Sequence, residues 1–168
     1  MTALWNQYAR YNRLANETLY EVCAKLSDEE RRRDLGAFFK SVHGTLNHLV
    51  LGDRIWMTRF EGKSHPSTDL GAILYDDFDE LRAARAEMDA RIERFFGEAP
   101  ADFGERTVRY INNSGFDTED PLSVILPHFF NHQTHHRAQV HTLLSQLGQK
   151  TPVLDLHRVL RPDPRQQA

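Results

Sequence analysis

The stretch that decides the fold runs from Leu122 to Leu147, LSVILPHFFNHQTHHRAQVHTLLSQL, in a chain of 168 residues. At 3.6 residues per turn its apolar side chains recur on one face. They are Leu122, Ile125, Phe129, Val140, Leu143 and Leu147. His132 and His136 fall inside that apolar arc, one turn apart. The pattern predicts a long amphipathic helix that turns two imidazoles toward a helical core at adjacent levels.

Two imidazoles buried side by side cost free energy unless each ring nitrogen has a partner. A divalent metal ion is one such partner, because neutral His binds zinc, nickel, copper and iron. Hydrogen bonds to polar core neighbours are the alternative, and the H-x-x-x-H pair alone does not separate the two.

A third ligand is offered by a second predicted helix, from about residue 37 to 60, whose inward positions include Phe38. His48 lies on the flank of its apolar stripe, beside small residues that include Gly44 and Gly52. Each Gly inside a helix costs roughly 1 kcal/mol relative to Ala, so close helix packing, space for a ligand, or both are expected here. With the earlier pair, His48 predicts a three-nitrogen site that keeps a coordination position open, as catalytic zinc does.

Helical periodicity also appears in two further segments, which gives an all-α fold of four long helices. The predicted helices span about 2–26, 37–60, 76–96 and 121–147. Residues 105–118 are β-branched, aromatic and then turn-forming, and predict a short extended or hairpin crossing between helices three and four. Asp120 and Pro121 are expected to start the last helix. A single domain is expected over 1–160, with one docking turn at its end and a frayed tail over 161–168.

Composition and charge narrow the function classes. The chain is 40% hydrophobic and 27% charged, with a net charge of −3, so a nucleic-acid binder is not expected. Its one cysteine, Cys23, excludes an intramolecular disulfide framework and any C-x-x-C motif. No apolar run is long enough to span a membrane, and no secretory signal is visible, which predicts a cytoplasmic protein.

Four residues are candidates for contacts around the metal ligands. His128, His135 and Gln139 lie close to the ligand arc and either orient an imidazole, contact substrate, or are part-exposed surface residues. Asp53 lies on the apolar stripe of the second helix. It either accepts a hydrogen bond from a ligand His or forms a structural pair, for example with Asn12, and the pair is favoured because buried carboxylates are usually paired.

Three blocks of sequence resemble the DinB-like superfamily: YNRLAN at 11–16, TLNHLVLGDRIW at 45–56 and HFFNHQTHHRAQ at 128–139. The resemblance implies an up-up-down-down four-helix bundle, usually a homodimer, with zinc or nickel on His48, His132 and His136. Arg137-Ala138-Gln139 stands where the family usually has Arg-Gly-Gln. The family name refers to induction by DNA damage, a stress response, and implies no DNA binding.

Some members of that superfamily resemble metal-dependent thiol transferases that use mycothiol or bacillithiol. By this resemblance the expected function is S-transfer, in which a metal-bound thiolate attacks a small electrophile. A metal-dependent hydrolase and a metal-binding stress-response protein without turnover are the alternatives. A purely structural helical dimer is the remaining interpretation.

Overall fold

The computed structural model describes residues 2–63, 65 and 69–163. This part of the chain is mostly helical, with one short 3-10 turn at Phe103–Glu105 and one two-stranded sheet. The elements are α1 (Thr2–Cys23), α2 (Asp28–Arg32), α3 (Val42–Phe60), α4 (Phe78–Glu98), β1 (Thr107–Ile111), β2 (Asp117–Pro121), α5 (Leu122–Gln146) and α6 (Leu156–Leu160). The predicted four long helices and the hairpin before the last of them are therefore present.

Packing among the long helices forms two apolar clusters separated by a polar layer. Helix α1 packs against α4 and α5, and α3 packs against the same two helices. One cluster is built around Leu19, Leu46 and Leu81, and the other around Phe96 and Phe129. Between them every long helix contributes buried polar side chains: Asn12, Asn16, His48, Asp53, Arg85, Asp89, Gln133, His136 and Arg137. The imidazole cluster lies at this polar level.

The start of α3 differs from the prediction. The helix begins at Val42, because the Ser41 hydroxyl caps it by accepting from the Gly44 N–H. Lys40 has a left-handed backbone with φ 66°, which ends any helical continuation toward residue 37. Phe38 was expected to face inward and is 84% exposed.

The hairpin pairs β1 and β2 antiparallel, from Thr107 opposite Pro121 to Ile111 opposite Asp117. The Asn112 side chain closes the turn by accepting from the N–H groups of Ser114 and Phe116. Asp120 was expected to cap the last helix and does not. It lies in β2, where its carboxylate accepts a 2.7 Å hydrogen bond from the Tyr110 hydroxyl.

The predicted docking turn is α6, which packs against α1, and the Tyr11 hydroxyl donates to the Leu154 carbonyl just before it. Of the tail expected to fray, 164–168 lies outside the described residues. The single domain over 1–160 and the up-up-down-down order of the helices stay predictions. None of the helices in the described part of the chain is both long enough and apolar enough to cross a bilayer.

Candidate metal centre

Three imidazoles from two helices converge at one point. The Nε2 atom of His48 on α3 lies 3.1 Å from Nε2 of His132 and 3.2 Å from Nε2 of His136, both on α5. All three candidate ligand atoms lie within 4.8 Å of one another. His48 and His136 are buried, and His132 is half-buried. The structure thus brings together the three residues that the sequence selected, in a geometry that could hold a metal ion.

The two glycines of α3 make this convergence possible. A Cβ at Gly52 would lie 3.0 Å from Cε1 of His132, so the absence of a side chain leaves room for that ring. A Cβ at Gly44 would lie 2.2 Å from the Phe39 carbonyl oxygen, so Gly44 admits the chain that enters the helix. Close packing is therefore found at both glycines, against the His132 ring at Gly52 and the preceding backbone at Gly44, whereas space for a bound ligand beside His48 stays a prediction.

Hydrogen bonds on the far side of two rings fix their tautomers. Nδ1 of His48 lies 2.9 Å from the Leu70 carbonyl, which can only accept, so Nδ1 carries the proton. Nδ1 of His136 donates to Oε1 of Gln139 at 2.7 Å. Both Nε2 atoms are then lone-pair acceptors that face each other at 3.2 Å with no proton between them. A cation between these nitrogens converts their repulsion into coordination, so the donor set fits a divalent metal.

The rings are held neutral, which is the form that binds metals. Burial, with repulsion from His136 and His48 as a smaller cause, lowers the pKa of His132 to about 3. Burial likewise lowers the pKa of His136 to about 4. The pKa of His48 is also lowered by burial. Protons therefore compete weakly for these nitrogens at neutral pH.

Phe39 is a neighbour of the cluster that the sequence reasoning missed. Its ring stacks on His48 with centroids 3.8 Å apart and an interplanar angle of 18°. It also meets His136 edge-on at 5.6 Å. Phe39 precedes α3, and its position depends on the left-handed turn at Lys40, for which helical periodicity carries no signal.

The candidate residues around the metal ligands differ in how they contact the three imidazoles. Gln139 contacts His136 directly, and its amide also donates to Nε2 of His135 at 3.2 Å. His135 is exposed, accepts from that glutamine, and meets the His136 ring edge-on with centroids 4.9 Å apart. His128 is exposed as well, with its ring 6.0 Å from that of His132.

Asp53 forms a structural pair and does not accept a hydrogen bond from a ligand His. Its two oxygens accept from Arg85 at 2.6 Å and from Gln133 at 2.8 Å, and none of the three imidazoles is among its hydrogen-bond partners. The suggested partner Asn12 was wrong, because its amide donates to Asp89 instead, at 2.9 Å. Catalytic roles for Asp53, His128, His135 and Gln139 stay predictions.

Comparison with known proteins identifies the family of the chain. The profile of the DinB family matches residues 1–167. A relative, Protein DinB of Bacillus subtilis (strain 168), is 25% identical over 151 residues, and the alignment covers 82% of this chain and 83% of that protein. Because the family profile spans almost every residue, the chain belongs to the DinB family.

Proposed function

We propose that this chain is a divalent-metal-dependent enzyme of the thiol S-transferase type, acting on small molecules. The observation that carries the proposal is the convergence of three neutral imidazoles whose Nε2 atoms meet at one point. Zinc or nickel held there lowers the pKa of a thiol or a water that binds it, and so supplies a nucleophile at neutral pH. Three protein ligands leave at least one position for that molecule.

The chain's own residues orient the ligands and shield them. The Leu70 carbonyl and the Gln139 amide hold two rings in one tautomer, and Phe39 covers one face of His48. The exposed imidazoles of His128 and His135 flank the cluster.

Thiol transfer is favoured over hydrolysis by the surroundings of the buried carboxylates. Asp53 is held by Arg85 and Gln133, and Asp89 is held by Asn12 and Asn16. Both carboxylates are buried and engaged by these core side chains, and neither hydrogen-bonds one of the three imidazoles, so we assign neither as a general base for a water molecule at the cluster. A thiol needs less help, because its own pKa lies much closer to neutral than that of water.

The first experiment measures metal. Elemental analysis of purified protein is expected to find stoichiometric zinc or nickel in the wild type and only background in His48→Ala and His132→Ala. His141→Ala is the matched control, because His141 lies on α5 outside the cluster, with its Nε2 on the Pro152 carbonyl. Equal metal in all four proteins would contradict the proposed centre.

The second experiment measures turnover. Metal-loaded protein is incubated with a panel of cellular thiols and a chloro-aromatic electrophile, and loss of thiol is followed with and without chelator. Metal-dependent loss supports S-transfer. Hydrolysis of ester or amide substrates without thiol would instead identify a hydrolase. A full metal complement with neither reaction would identify a metal-binding protein without turnover.

The remaining parts of the proposal follow from the resemblance and the composition. We propose an up-up-down-down four-helix bundle that forms a homodimer, in the cytoplasm, with a small molecule rather than nucleic acid or a membrane as its partner. Light scattering on the purified protein tests the homodimer, since a monomeric mass would contradict it.

A further inference from the structure

Arg59 near the end of α3 is a buried cation without a counterion. It is 7% exposed, and its Nη2 donates to the Ile111 carbonyl and to Oδ1 of Asn113, both at 3.3 Å. Its Nε is buried with no hydrogen-bond partner. No carboxylate in the described part of the chain pairs with it, and the titratable group that acts on its charge is Tyr110. A buried charge is normally paired, because its desolvation is costly.

The cations around Arg59 are all satisfied. Lys63 pairs with Glu61, Arg106 with Asp102, and Arg109 with Asp117. Arg59 instead lies over two aromatic rings, 4.7 Å from the centroid of Trp56 and 4.2 Å from that of Tyr110. These rings hold the guanidinium in place, but they bring no formal negative charge.

There is room for an anion beside this guanidinium. Arg59 lines a cavity of about 230 Å³ between the end of α3 and β1. The other charged side chains that line it, Arg106 and Arg109, are cations. Because Arg106 and Arg109 are paired with Asp102 and Asp117, Arg59 is the cation that this lining offers to an anion.

Arg59 lies on the same face of α3 as the residues that adjoin the imidazole cluster. Gly52, Trp56 and Arg59 are spaced i, i+4, i+7 and so lie on one face of α3. Gly52 packs on His132, and the Trp56 ring lies 5.5 Å from that of His128, the next imidazole along α5. Seven residues of helix separate Gly52 from Arg59, a rise of roughly 10 Å.

We infer that Arg59 binds the carboxylate of an elongated small-molecule thiol, whose sulfur lies at the three-imidazole cluster and whose middle lies along Trp56. This inference rests on the proposed function. An anchoring role for Arg59 on the hairpin is compatible with it, since the two bonds to Ile111 and Asn113 use one nitrogen of the guanidinium.

The test uses two probes of equal length, 8-mercaptooctanoate and 8-mercapto-1-octanol, titrated into zinc-loaded protein by calorimetry. Wild type is expected to bind the carboxylate at least about tenfold more tightly, as a charge-assisted hydrogen bond allows. Arg59→Gln is expected to abolish that ratio and to keep its zinc. Lys63→Gln removes an exposed, paired cation that follows α3 but does not line this cavity, and it should leave the ratio unchanged.

An affinity ratio of the two thiols near one in wild type, or an unchanged ratio in Arg59→Gln, overturns the inference about Arg59. In either case, thiol binding to the zinc-loaded protein leaves the proposed function standing. If neither thiol binds, the proposed function fails. The anion site at Arg59 is then tested separately, by titrating octanoate into the metal-free protein. Its binding is read from Trp56 fluorescence in a Trp5→Phe background, where Trp56 is the remaining tryptophan. Arg59-dependent quenching supports the site, and its absence overturns it.

Arg59→Lys, which keeps the charge without the planar fork, replaces Arg59→Gln if that variant does not fold, and is expected to lower the ratio.

Discussion

Replacing Gly52 by Ala is expected to lower the affinity for metal while the free energy of unfolding stays nearly unchanged. The new Cβ would lie 3.0 Å from Cε1 of His132, whereas carbon atoms in contact prefer about 3.5 to 4.0 Å. The ring must therefore retreat by about 0.5 Å or more. Disturbing the orientation of a metal ligand typically lowers affinity about 10- to 100-fold, or roughly 1.4 to 2.7 kcal/mol.

The same substitution favours the helix itself. Ala is roughly 1 kcal/mol better than Gly in a helix interior. Since the displaced atom is the far end of a side chain, we expect the free energy of unfolding of the metal-free protein to stay within about 1 kcal/mol of wild type. Stability and zinc affinity therefore change independently.

Zinc affinity is measured by competition with a chromophoric chelator, and stability by urea unfolding in excess chelator. Gly97→Ala is the matched control, because Gly97 lies in α4 with open space where its Cβ would stand. It should gain helix stability and leave zinc affinity unchanged. Unchanged zinc affinity in Gly52→Ala would refute the assignment of His132 as a ligand packed on α3.

Three further predictions concern the cluster and its surroundings. Gln139→Leu removes the acceptor of the His136 Nδ1–H and should weaken zinc binding by about 10- to 100-fold, whereas His135→Ala should leave chelator competition almost unchanged. Acid should destabilise the metal-free protein: with the pKa values of His132 and His136 lowered to about 3 and about 4, the unfolded chain takes up protons first as the pH falls below about 6.5. Urea unfolding should then show full stability above about pH 7 and a loss of about 3 kcal/mol for each of the two rings by pH 4, and a flat profile would contradict the buried, neutral state of these rings. Asp53→Ala removes one of the two carboxylates paired with the buried Arg85 guanidinium, which keeps Asp89, and should cost about 1 to 3 kcal/mol of unfolding free energy. The folded protein should keep its zinc, and loss of zinc would instead place this carboxylate in the centre.

Local spacing along the chain was sufficient for the helices and for the choice of metal ligands. His132 and His136 share a face because four residues make about one turn, and Gly52 marks the one level at which a ring can approach α3. The hairpin followed from the β-branched run before Asn112 and from its turn chemistry. These features depend on residues that are close in sequence, so periodicity and turn preferences reveal them.

Contacts between distant segments were decided by the tertiary structure alone. Phe39 on His48, the Leu70 carbonyl on the same ring and the pairing of Asp53 with Arg85 each join elements whose relative placement no local pattern specifies. Arg59 shows the same limit, because a cation is common on a helix and only packing shows which one is buried without a carboxylate. Helical spacing states which face a side chain occupies, whereas the packing of whole elements decides what lies against that face.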